Sequence, residues 1–415
     1  MGDSQFKIAI IGAGPAGLTL GHLLLKHNVP FQIFELRQKP PADELAKPSG
    51  MLDMHEDSGI AAMKECGLWD QLEKLTGECS EAHKVLNKDG DILYADNGDE
   101  RGRPEVSRHG FTNLLISHLP DNVIKWDYKL LAAKALPSEA VSQTVELDFG
   151  PRGRQTFDLV VGADGAWSRV RNVVTDVKPH YADTQLITVT IREISKKYPH
   201  LAELVGPGSL TALGNRNGLM SQRGPQDSAR LYLIISTHDE QFATSYGLSG
   251  QLPKAAKERL LEDAGLFGTW NARLKELVAA ACDEQQLDDP NVAIDIRPMH
   301  KLPVGHTWKH RSGVTLIGDA AHLMCPWAGE GVNVAMADAL SLANAIAKAR
   351  DEAVPDNVMS FQQALNSRIE AFEKEMLERA TEKAEETVRN GEMLFGEDGA
   401  SAFANFFLSM GPPPS

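Results

Sequence analysis

Three glycines near the amino terminus have the spacing of a nucleotide-binding loop. Residues 12–17 read GAGPAG, follow an apolar run of strand length and open a helical pattern, a context that makes a G-x-G-x-x-G match specific. In such a loop the first glycine permits a tight turn, the second lets a pyrophosphate approach the backbone, and the third allows the helix to pack closely on the strand. Glu35 ends the next apolar run, where a carboxylate can bind ribose hydroxyls. An acidic residue there favours FAD or NAD over NADP as the bound nucleotide.

Two later segments place a carboxylate just after an apolar run. Residues 158–171 read DLVVGADGAWSRVR and carry Asp164, and residues 314–322 read VTLIGDAAH and carry Asp319. A glycine-rich turn at 329–333, GEGVN, then opens another helical pattern. Backbone N–H groups at a helix N-terminus favour negative charge, so this turn is suited to an anionic group.

In this order, the segments resemble the motifs of the aromatic-ring hydroxylase class of flavoproteins. Residues 158–171 resemble the Asp-Gly motif of that class, and residues 318–333 resemble its second flavin-binding motif. Within the class, these motifs together with the segments 50–55 (GMLDMH) and 105–108 (EVSR) are most similar to the tetracycline-inactivating monooxygenases. Those enzymes share the architecture of para-hydroxybenzoate hydroxylase, and the resemblance therefore implies an FAD-dependent monooxygenase.

The resemblance also implies which residues hold the cofactor and the substrate. Asp319 would bind the ribityl chain of FAD, Asp53 and Arg108 would lie at the flavin, and Asp164 would serve both FAD and the nicotinamide donor. The implied cofactor contacts are Gly12, Gly14, Ala16, Gly17, Glu35, Leu36, Arg37, Asp53, Arg108, Asp164, Gly318, Asp319, Gly329, Gly331, Val332 and Asn333. The implied substrate contacts are Asn215, Tyr232, Cys325, Pro326, Trp327, Ala328 and Gly329.

The implied chemistry belongs to the cofactor, and no catalytic side chain is expected. NADPH or NADH would reduce FAD, O2 would add to give a flavin C4a-hydroperoxide, and its distal oxygen would hydroxylate an aromatic or polycyclic, tetracycline-like molecule. A flavin-dependent reductase or halogenase on the same scaffold is an alternative, although no Trp-x-Trp-x-Ile-Pro-like segment supports the halogenase. A non-catalytic carrier that uses the glycine fold to bind a lipid or a protein is a further alternative.

The chain departs from the tetracycline enzymes beside the flavin. Cys325 and Trp327 stand where those enzymes have a proline and a phenylalanine, and Ala46, with Lys47 next to it, matches an arginine that contacts the nicotinamide cofactor. The shape of the reaction cavity should therefore differ. The preference between NADPH and NADH, and the identity of the substrate, stay open.

The elements that must position these residues indicate an α/β fold. Apolar runs at 6–11 and 31–35 flank a helical segment at 18–27 and form a βαβ unit, and alternating segments between 184 and 238 indicate a separate antiparallel sheet. We predict a Rossmann-like FAD-binding domain of the para-hydroxybenzoate hydroxylase type with an inserted mixed β-sheet substrate domain and a long C-terminal helix. The predicted ranges are 1–80, 102–180 and 290–350 for the FAD-binding domain, 81–101 and 181–289 for the substrate-binding domain, 357–390 for the bridging helix and 409–415 for a tail.

Composition narrows the partners to small molecules. Among 415 residues, 42 Lys and Arg against 57 Asp and Glu give a net charge of −15, which disfavours nucleic acid and anionic membrane surfaces. No apolar run is long enough to span a membrane, and no signal peptide is recognised, so we expect a cytoplasmic monomer. The four scattered cysteines and 13 histidines form no metal-ligand or catalytic-triad pattern, and His322 is interpreted as a structural part of its turn. The predicted partners are an aromatic substrate and O2, with no metal.

Overall fold

The computed structural model describes residues 6–98, 102–136, 144–353 and 358–409. The strands in chain order are β1 Ile8–Ile11, β2 Phe31–Phe34, β3 Met51–Asp53, β4 His83–Asn87, β5 Ile92–Ala95, β6 Glu105–Ser107, β7 Ile124–Lys125, β8 Ala132–Ala135, β9 Val145–Asp148, β10 Arg154–Phe157, β11 Leu159–Gly162, β12 His180–Ile191, β13 Ser209–Gly214, β14 Asn217–Gly224, β15 Ser228–Ser236, β16 Asp295–Lys301 and β17 Val314–Leu316. The α-helices are α1 Pro15–Lys26, α2 Ala42–Leu45, α3 Ala61–Cys66, α4 Trp69–Glu73, α5 Arg108–Ser117, α6 Arg171–Val174, α7 Ile194–Lys197, α8 Pro199–Val205, α9 Phe242–Ser245, α10 Pro253–Glu262, α11 Ala272–Asp288, α12 Asp319–His322, α13 Gly331–Glu352, α14 Val358–Leu394 and α15 Gly399–Ser409. A π-helical turn at Glu56–Ile60 leads into α3, and a 3-10 turn occupies Gly150–Arg152.

The glycine loop follows the carboxyl end of β1, the central strand of a five-stranded parallel sheet in the order β17-β11-β1-β2-β7. The strand β1 is buried along its whole length, as are β11 and β17, because helices cover both faces of such a sheet. This explains why these strands read as nearly continuous apolar runs. The predicted α/β class and the predicted βαβ unit are confirmed.

A seven-stranded mixed sheet in the order β16-β12-β15-β14-β13-β4-β5 forms the second large layer. Its strands pair antiparallel except β13 with β4, which are parallel. One face packs on α10 and α11 through alternate apolar residues such as Val189, Leu231 and Leu233. The other face approaches the glycine-loop half of the molecule, since Gln222 on β14 donates a hydrogen bond to Glu105 on β6 at 3.4 Å.

A two-stranded antiparallel ribbon of β3 and β6 lies between the two large sheets. Its register pairs Met51 with Ser107 and Asp53 with Glu105. The Ser107 side chain accepts a hydrogen bond from the backbone N–H of Gly110 at 3.1 Å and so caps α5. Because of this cap, α5 begins at Arg108.

The C-terminal part of the chain contains two helices rather than one. The helix α14 extends to Leu394 and packs on α13 through Leu365, Ile369, Phe372, Met376 and Ala380, which recur at helical spacing. The sequence analysis did not anticipate α15, which packs against β4, β5 and β13. Of the predicted tail 409–415, Ser409 belongs to α15 and the rest lies outside the described residues. Over the described ranges, no helix has both the length and the apolar composition to cross a membrane.

Candidate active site

The glycine loop has no room for a side chain at Gly12 and Gly17 but has open space at Gly14. A Cβ on Gly12, where φ is +111°, would lie 2.2 Å from the carbonyl oxygen of Ala163, and a Cβ on Gly17 would lie 2.1 Å from that of Gly12. A Cβ on Gly14 would meet no atom within 4 Å. Pro15 begins α1 directly after this open position, with no side chain capping the helix. The loop therefore leaves free N–H groups beside empty space, which fits a diphosphate.

Glu35 is held rigidly at the end of β2. Its carboxylate is 3% exposed and accepts hydrogen bonds from the backbone N–H of Ala13 at 2.8 Å and from the backbone and side chain of Arg37 at 3.1 and 2.7 Å. A carboxylate offers about four lone-pair sites, so acceptor capacity is left for a ribose hydroxyl. Leu36 and Arg37 are largely exposed beside it.

Three separate stretches of chain converge at Gly318. A Cβ on Gly318 would lie 3.3 Å from the Cβ of Ala16 on α1 and 3.2 Å from that of Ala335 on α13. A Cβ on Gly331, the first residue of α13, would again meet no atom within 4 Å, and no side chain caps this helix. The N-termini of α1 and α13 thus both face open space, and the predicted contacts Gly331 and Val332 lie at the second of them.

Asp319 is the first residue of α12. Its side chain is accessible to solvent although protein surrounds it, and this burial raises the pKa of the Asp319 carboxyl. The charges of His322, Arg108 and Arg171 act in the opposite direction. Within the described residues, the carboxylate accepts no hydrogen bond. A solvent-accessible carboxylate without a protein partner fits the hydroxyls of a ribityl chain.

Arg171 joins the two carboxylate-bearing segments, and the sequence analysis gave it no role. It is 1% exposed and donates to the carbonyl oxygens of Ala166 at 2.9 Å, Asp319 at 3.0 Å and Ala320 at 2.8 Å. These bonds fix the turn after β11 to the turn after β17. Its position inside the resembled Asp-Gly segment was the only signal in the sequence.

Asp164 is used by its own turn. One carboxylate oxygen accepts a hydrogen bond from the Ser168 hydroxyl at 2.5 Å, and the other accepts from the backbone N–H groups of Arg169 at 2.7 Å and Val170 at 3.4 Å. Both oxygens thus hold the loop that approaches Gly12, and the dual contact of Asp164 with FAD and the nicotinamide donor stays a prediction.

Asn333 is a buried connection between α13 and the segment after β3. Its side-chain oxygen accepts from the backbone N–H of His55 at 2.9 Å, and its nitrogen donates to the carbonyl oxygens of Asp53 at 2.8 Å and Gly329 at 3.4 Å. The Asn333 amide is thus satisfied by protein, and the flavin contact of Asn333 stays a prediction. These hydrogen bonds bring Asp53 next to Gly329, where a Cβ would lie 3.1 Å from the Asp53 carboxylate.

His322 belongs to a buried ionic network. It contacts Asp338 at 2.5 Å, and Asp338 also accepts from the backbone N–H of Gly318 at 2.9 Å and from Arg379 at 2.9 Å. The Asp338 carboxylate raises the pKa of His322 against the effect of burial, and the His322 charge lowers that of Asp338. The network ties α12, α13 and α14 together. Across the ranges that the structure describes, no group of three or more His, Cys, Asp or Glu side chains could hold a metal ion.

The face of the seven-stranded sheet opposite α10 and α11 carries polar and aromatic side chains. Tyr232 pairs with Met220 on this face, and its hydroxyl would lie 2.4 Å from a Cβ on Gly50. The Arg230 guanidinium lies 5.8 Å from the centre of the Tyr232 ring and donates to the Thr190 hydroxyl at 3.1 Å. Its Nε is buried and has no hydrogen-bond partner among the described residues. Arg230 was missed, although its position two residues before Tyr232 places both side chains on one face.

The segment 325–328 forms a second, largely apolar wall. The Trp327 ring packs edge-on against Phe395 at 4.9 Å between centroids, and its carbonyl oxygen accepts from Asn390 on α14 at 3.1 Å. Cys325 is buried, and burial raises the pKa of its thiol to about 11. Pro326 is exposed and Ala328 half-buried.

Asn215 lies on the exposed turn between β13 and β14, with φ of +52°. Its amide donates to the Thr269 hydroxyl at 3.2 Å. No contact among the described residues joins it to Asp53, Tyr232 or Trp327. Asparagine at this position suits the left-handed turn, and the substrate contact of Asn215 stays a prediction.

Comparison with known proteins agrees with this geometry. The family model described as "FAD binding domain" matches residues 5–241 and 268–376. The monooxygenase penA of Penicillium thymicola is 37% identical over 98% of this chain and 99% of its own length, and the monooxygenase asqM of Emericella nidulans is 33% identical over the same shares.

Solved structures show the same fold at low identity. Klebsiella pneumoniae HpxO, complexed with FAD and uric acid, superposes with a TM-score of 0.73 at 16% identity, covering 99% of this chain and 93% of that one. The tetracycline destructase Tet(51) superposes with a TM-score of 0.61 at 17% identity, covering 96% and 98%. A special closeness to the tetracycline enzymes is not established. The chain belongs to the FAD binding domain family, and within it to the FAD-dependent monooxygenases of the para-hydroxybenzoate hydroxylase fold.

Proposed function

We propose that this enzyme uses NAD(P)H and O2 to hydroxylate an aromatic or polycyclic small molecule. The observation that carries the proposal is the convergence of Gly14, Asp319 and Gly331 on one cleft, with the polar and apolar face of the seven-stranded sheet opposite. Reduced FAD would supply the activation of dioxygen and the transferable oxygen atom. The protein supplies binding, orientation and exclusion of water.

The residues of the cleft fit FAD in their chemistry. The N-termini of α1 and α13 offer backbone donors, the first to the diphosphate and the second to the anionic reduced ring. Asp319 would accept from the ribityl hydroxyls and Glu35 from the adenosine ribose, while Arg108 adds positive charge near Asp319. These assignments rest on the open space at Gly14 and Gly331, on the Asp319 carboxylate, which accepts no hydrogen bond from the described residues, and on the acceptor capacity left at Glu35.

The opposite wall favours a flat substrate that carries an acidic or carbonyl oxygen. Met220, Tyr232 and Trp327 offer apolar and aromatic surface, and the buried guanidinium of Arg230 has a free donor. A hydrogen bond from a charged donor to such an oxygen is worth about 1.5 to 3 kcal/mol, enough to select orientation. A tetracycline would present such oxygens, as would urate or salicylate.

We further propose that the domains divide this work as the sequence indicated. Residues 1–80, 102–180 and 290–350 would bind FAD, and residues 81–101 and 181–289 would carry the substrate wall. The segment 357–390 would brace both. The pairing of β1 with β11 and of β11 with β17 supports a cofactor domain assembled from separated stretches.

The decisive experiment measures reduction of the bound flavin by NADPH and by NADH in anaerobic stopped flow, with urate, salicylate, a tetracycline and further phenols as candidate substrates. A true substrate should accelerate reduction at least about tenfold, and product with one added oxygen should then appear in air by mass spectrometry. Reduction without added oxygen in any product would indicate a reductase. Protein without flavin after reconstitution would refute the proposal.

The variant Arg230→Met tests the substrate wall. We expect KM for an acidic substrate to rise by about tenfold or more while FAD content and unstimulated flavin reduction stay unchanged. Arg297→Met is the matched control, since Arg297 on β16 is exposed and pairs with Asp295. Equal effects of the two variants would contradict the role of Arg230.

A further inference from the structure

Two carboxylates face each other on the ribbon between the sheets. Asp53 on β3 and Glu105 on β6 are directly opposed in the antiparallel register. Opposed side chains of such a pair lie on the same face, about 4.5 to 5.5 Å apart at Cβ. Glu105 is buried, and Asp53 is half-buried at the edge of the cleft beside Gly329.

Their surroundings favour one shared proton over two negative charges. Burial raises the pKa of Glu105 to about 8, and the Asp53 charge adds to this, while a hydrogen bond with Cys79 acts against it. Burial also raises the pKa of Asp53, and so do the charges of Glu81 and Glu330. The charges of His55 and Arg103 lower it without reversing the direction. Such a pair titrates as a unit.

A series of polar side chains leads from this pair to the surface. His55 is close enough for its charge to act on Asp53, and its Nδ1 lies 3.4 Å from a carboxylate oxygen of Glu330. The other Glu330 oxygen contacts the Lys383 ammonium at 2.5 Å. Lys383 is 34% exposed and also contacts Glu386 at 3.2 Å. The His55 Nε2 is buried and has no partner in the described part of the chain.

We propose that Asp53 and Glu105 store one proton at the cleft and that His55, Glu330 and Lys383 replenish it from solvent. The inference rests on the proposed function, because hydroxylation of C–H by O2 and NAD(P)H gives C–OH, NAD(P)+ and water and consumes one proton per turnover. A site that excludes water must receive that proton through the protein. Asp53 is the member of the pair that lies beside Gly329, at the turn before α13, so the proton leaves from the Asp53 carboxyl.

The first test examines the flavin-free protein by infrared spectroscopy. We expect a carbonyl band of a protonated carboxylic acid at pH 7 that fades as the pH rises through about 8, the pKa of Glu105. Glu105→Gln should remove the band at pH 7. Glu284→Gln, a buried glutamate that contacts Lys197 on the far side of the substrate sheet, is the matched control and should leave it. Identical titrations in the wild type and Glu105→Gln would overturn the proposal.

The second test examines the relay in the holoenzyme. His55→Ala should slow product formation in a single turnover by about 10²-fold, the typical contribution of a positioned proton donor, while FAD content is unchanged. Added imidazole should restore the rate, which a purely structural role of His55 would not allow. Unchanged rates in His55→Ala, or loss without rescue, would overturn the relay. If no compound yields product with the wild type, the proposed function fails, and the infrared result still decides the carboxylate pair.

Discussion

Replacement of Asp319 by asparagine should separate cofactor binding from fold stability. The solvent-accessible carboxylate accepts no hydrogen bond from the described residues, and the protein that surrounds it raises its pKa. A carboxyl group whose folded-state pKa is raised destabilises the folded protein once the pH exceeds its ordinary pKa, because ionisation is then favoured in the unfolded chain. At neutral pH, flavin-free Asp319→Asn should therefore be as stable as the wild type or more stable.

The holoenzyme should respond in the opposite direction. Hydrogen bonds to a charged group are worth about 1.5 to 3 kcal/mol, so loss of the carboxylate should weaken FAD binding by about tenfold to 150-fold. Flavin fluorescence quenching on titration with flavin-free protein measures the Kd. Urea unfolding of the flavin-free protein measures the free energy of unfolding.

Asp338→Asn is the informative contrast. Asp338 is fully buried between His322 and Arg379, and removal of one partner from such a network costs about 3 to 5 kcal/mol. This variant should lose stability first. If Asp319→Asn instead binds FAD with unchanged affinity while its unfolding midpoint falls, Asp319 is a structural residue and the reasoning is refuted.

Five further substitutions probe other parts of the site and the residues that support it. Gly14→Ala should leave the stability of the flavin-free protein unchanged but weaken FAD binding, because the added Cβ enters open space. Gly12→Ala should destabilise the fold, because its Cβ would clash with the carbonyl oxygen of Ala163. Thermal unfolding and FAD titration distinguish the two variants. Trp327→Ala should change the substrate range and the coupling of NAD(P)H use to product with FAD still bound, which product analysis measures. Cys325→Ser should leave flavin reduction intact because the thiol stays protonated at neutral pH. Loss of turnover in Cys325→Ser, measured by stopped flow, would contradict the second prediction. Because the pKa of His322 is raised in the folded protein, its contribution to stability should be complete below about pH 6.5 and should be lost as the pH rises through the folded-state pKa. The urea midpoint of the wild type should therefore approach that of His322→Gln at high pH.

The residues that the sequence identified best are those whose type is dictated by the local backbone. Gly12 needs a positive φ and a close carbonyl, and Asp319 follows a buried strand at the start of a helix, so both carry a pattern that spans only a few positions. The same holds for the parallel sheet, because strands covered on both faces must be apolar throughout.

The residues that the sequence missed act on partners far along the chain. Arg171 bonds to carbonyl groups almost 150 residues later, and the side-chain partners of Asn333, which was itself a predicted cofactor contact, lie about 280 residues earlier. The pKa of Glu105 is raised only when folding buries its carboxyl and brings Asp53 opposite it. Nothing in the local pattern of these residues distinguishes them from ordinary polar side chains. The helix α15 was missed because its apolar run is short and follows the long amphipathic pattern of α14.

The strand order of the parallel sheet governs when this protein can acquire its cofactor during synthesis. The strand β1 is made first, yet its neighbour β11 starts at Leu159, and β17, which completes that edge, starts at Val314. The loop of α1 and the loop of α13 can face each other only after the ribosome has released most of the chain. Pairings of such long sequence separation are slow to form. Meanwhile β12 to β15 can pair with strands close to them in the sequence. These four strands should therefore form first, and the flavin should bind last.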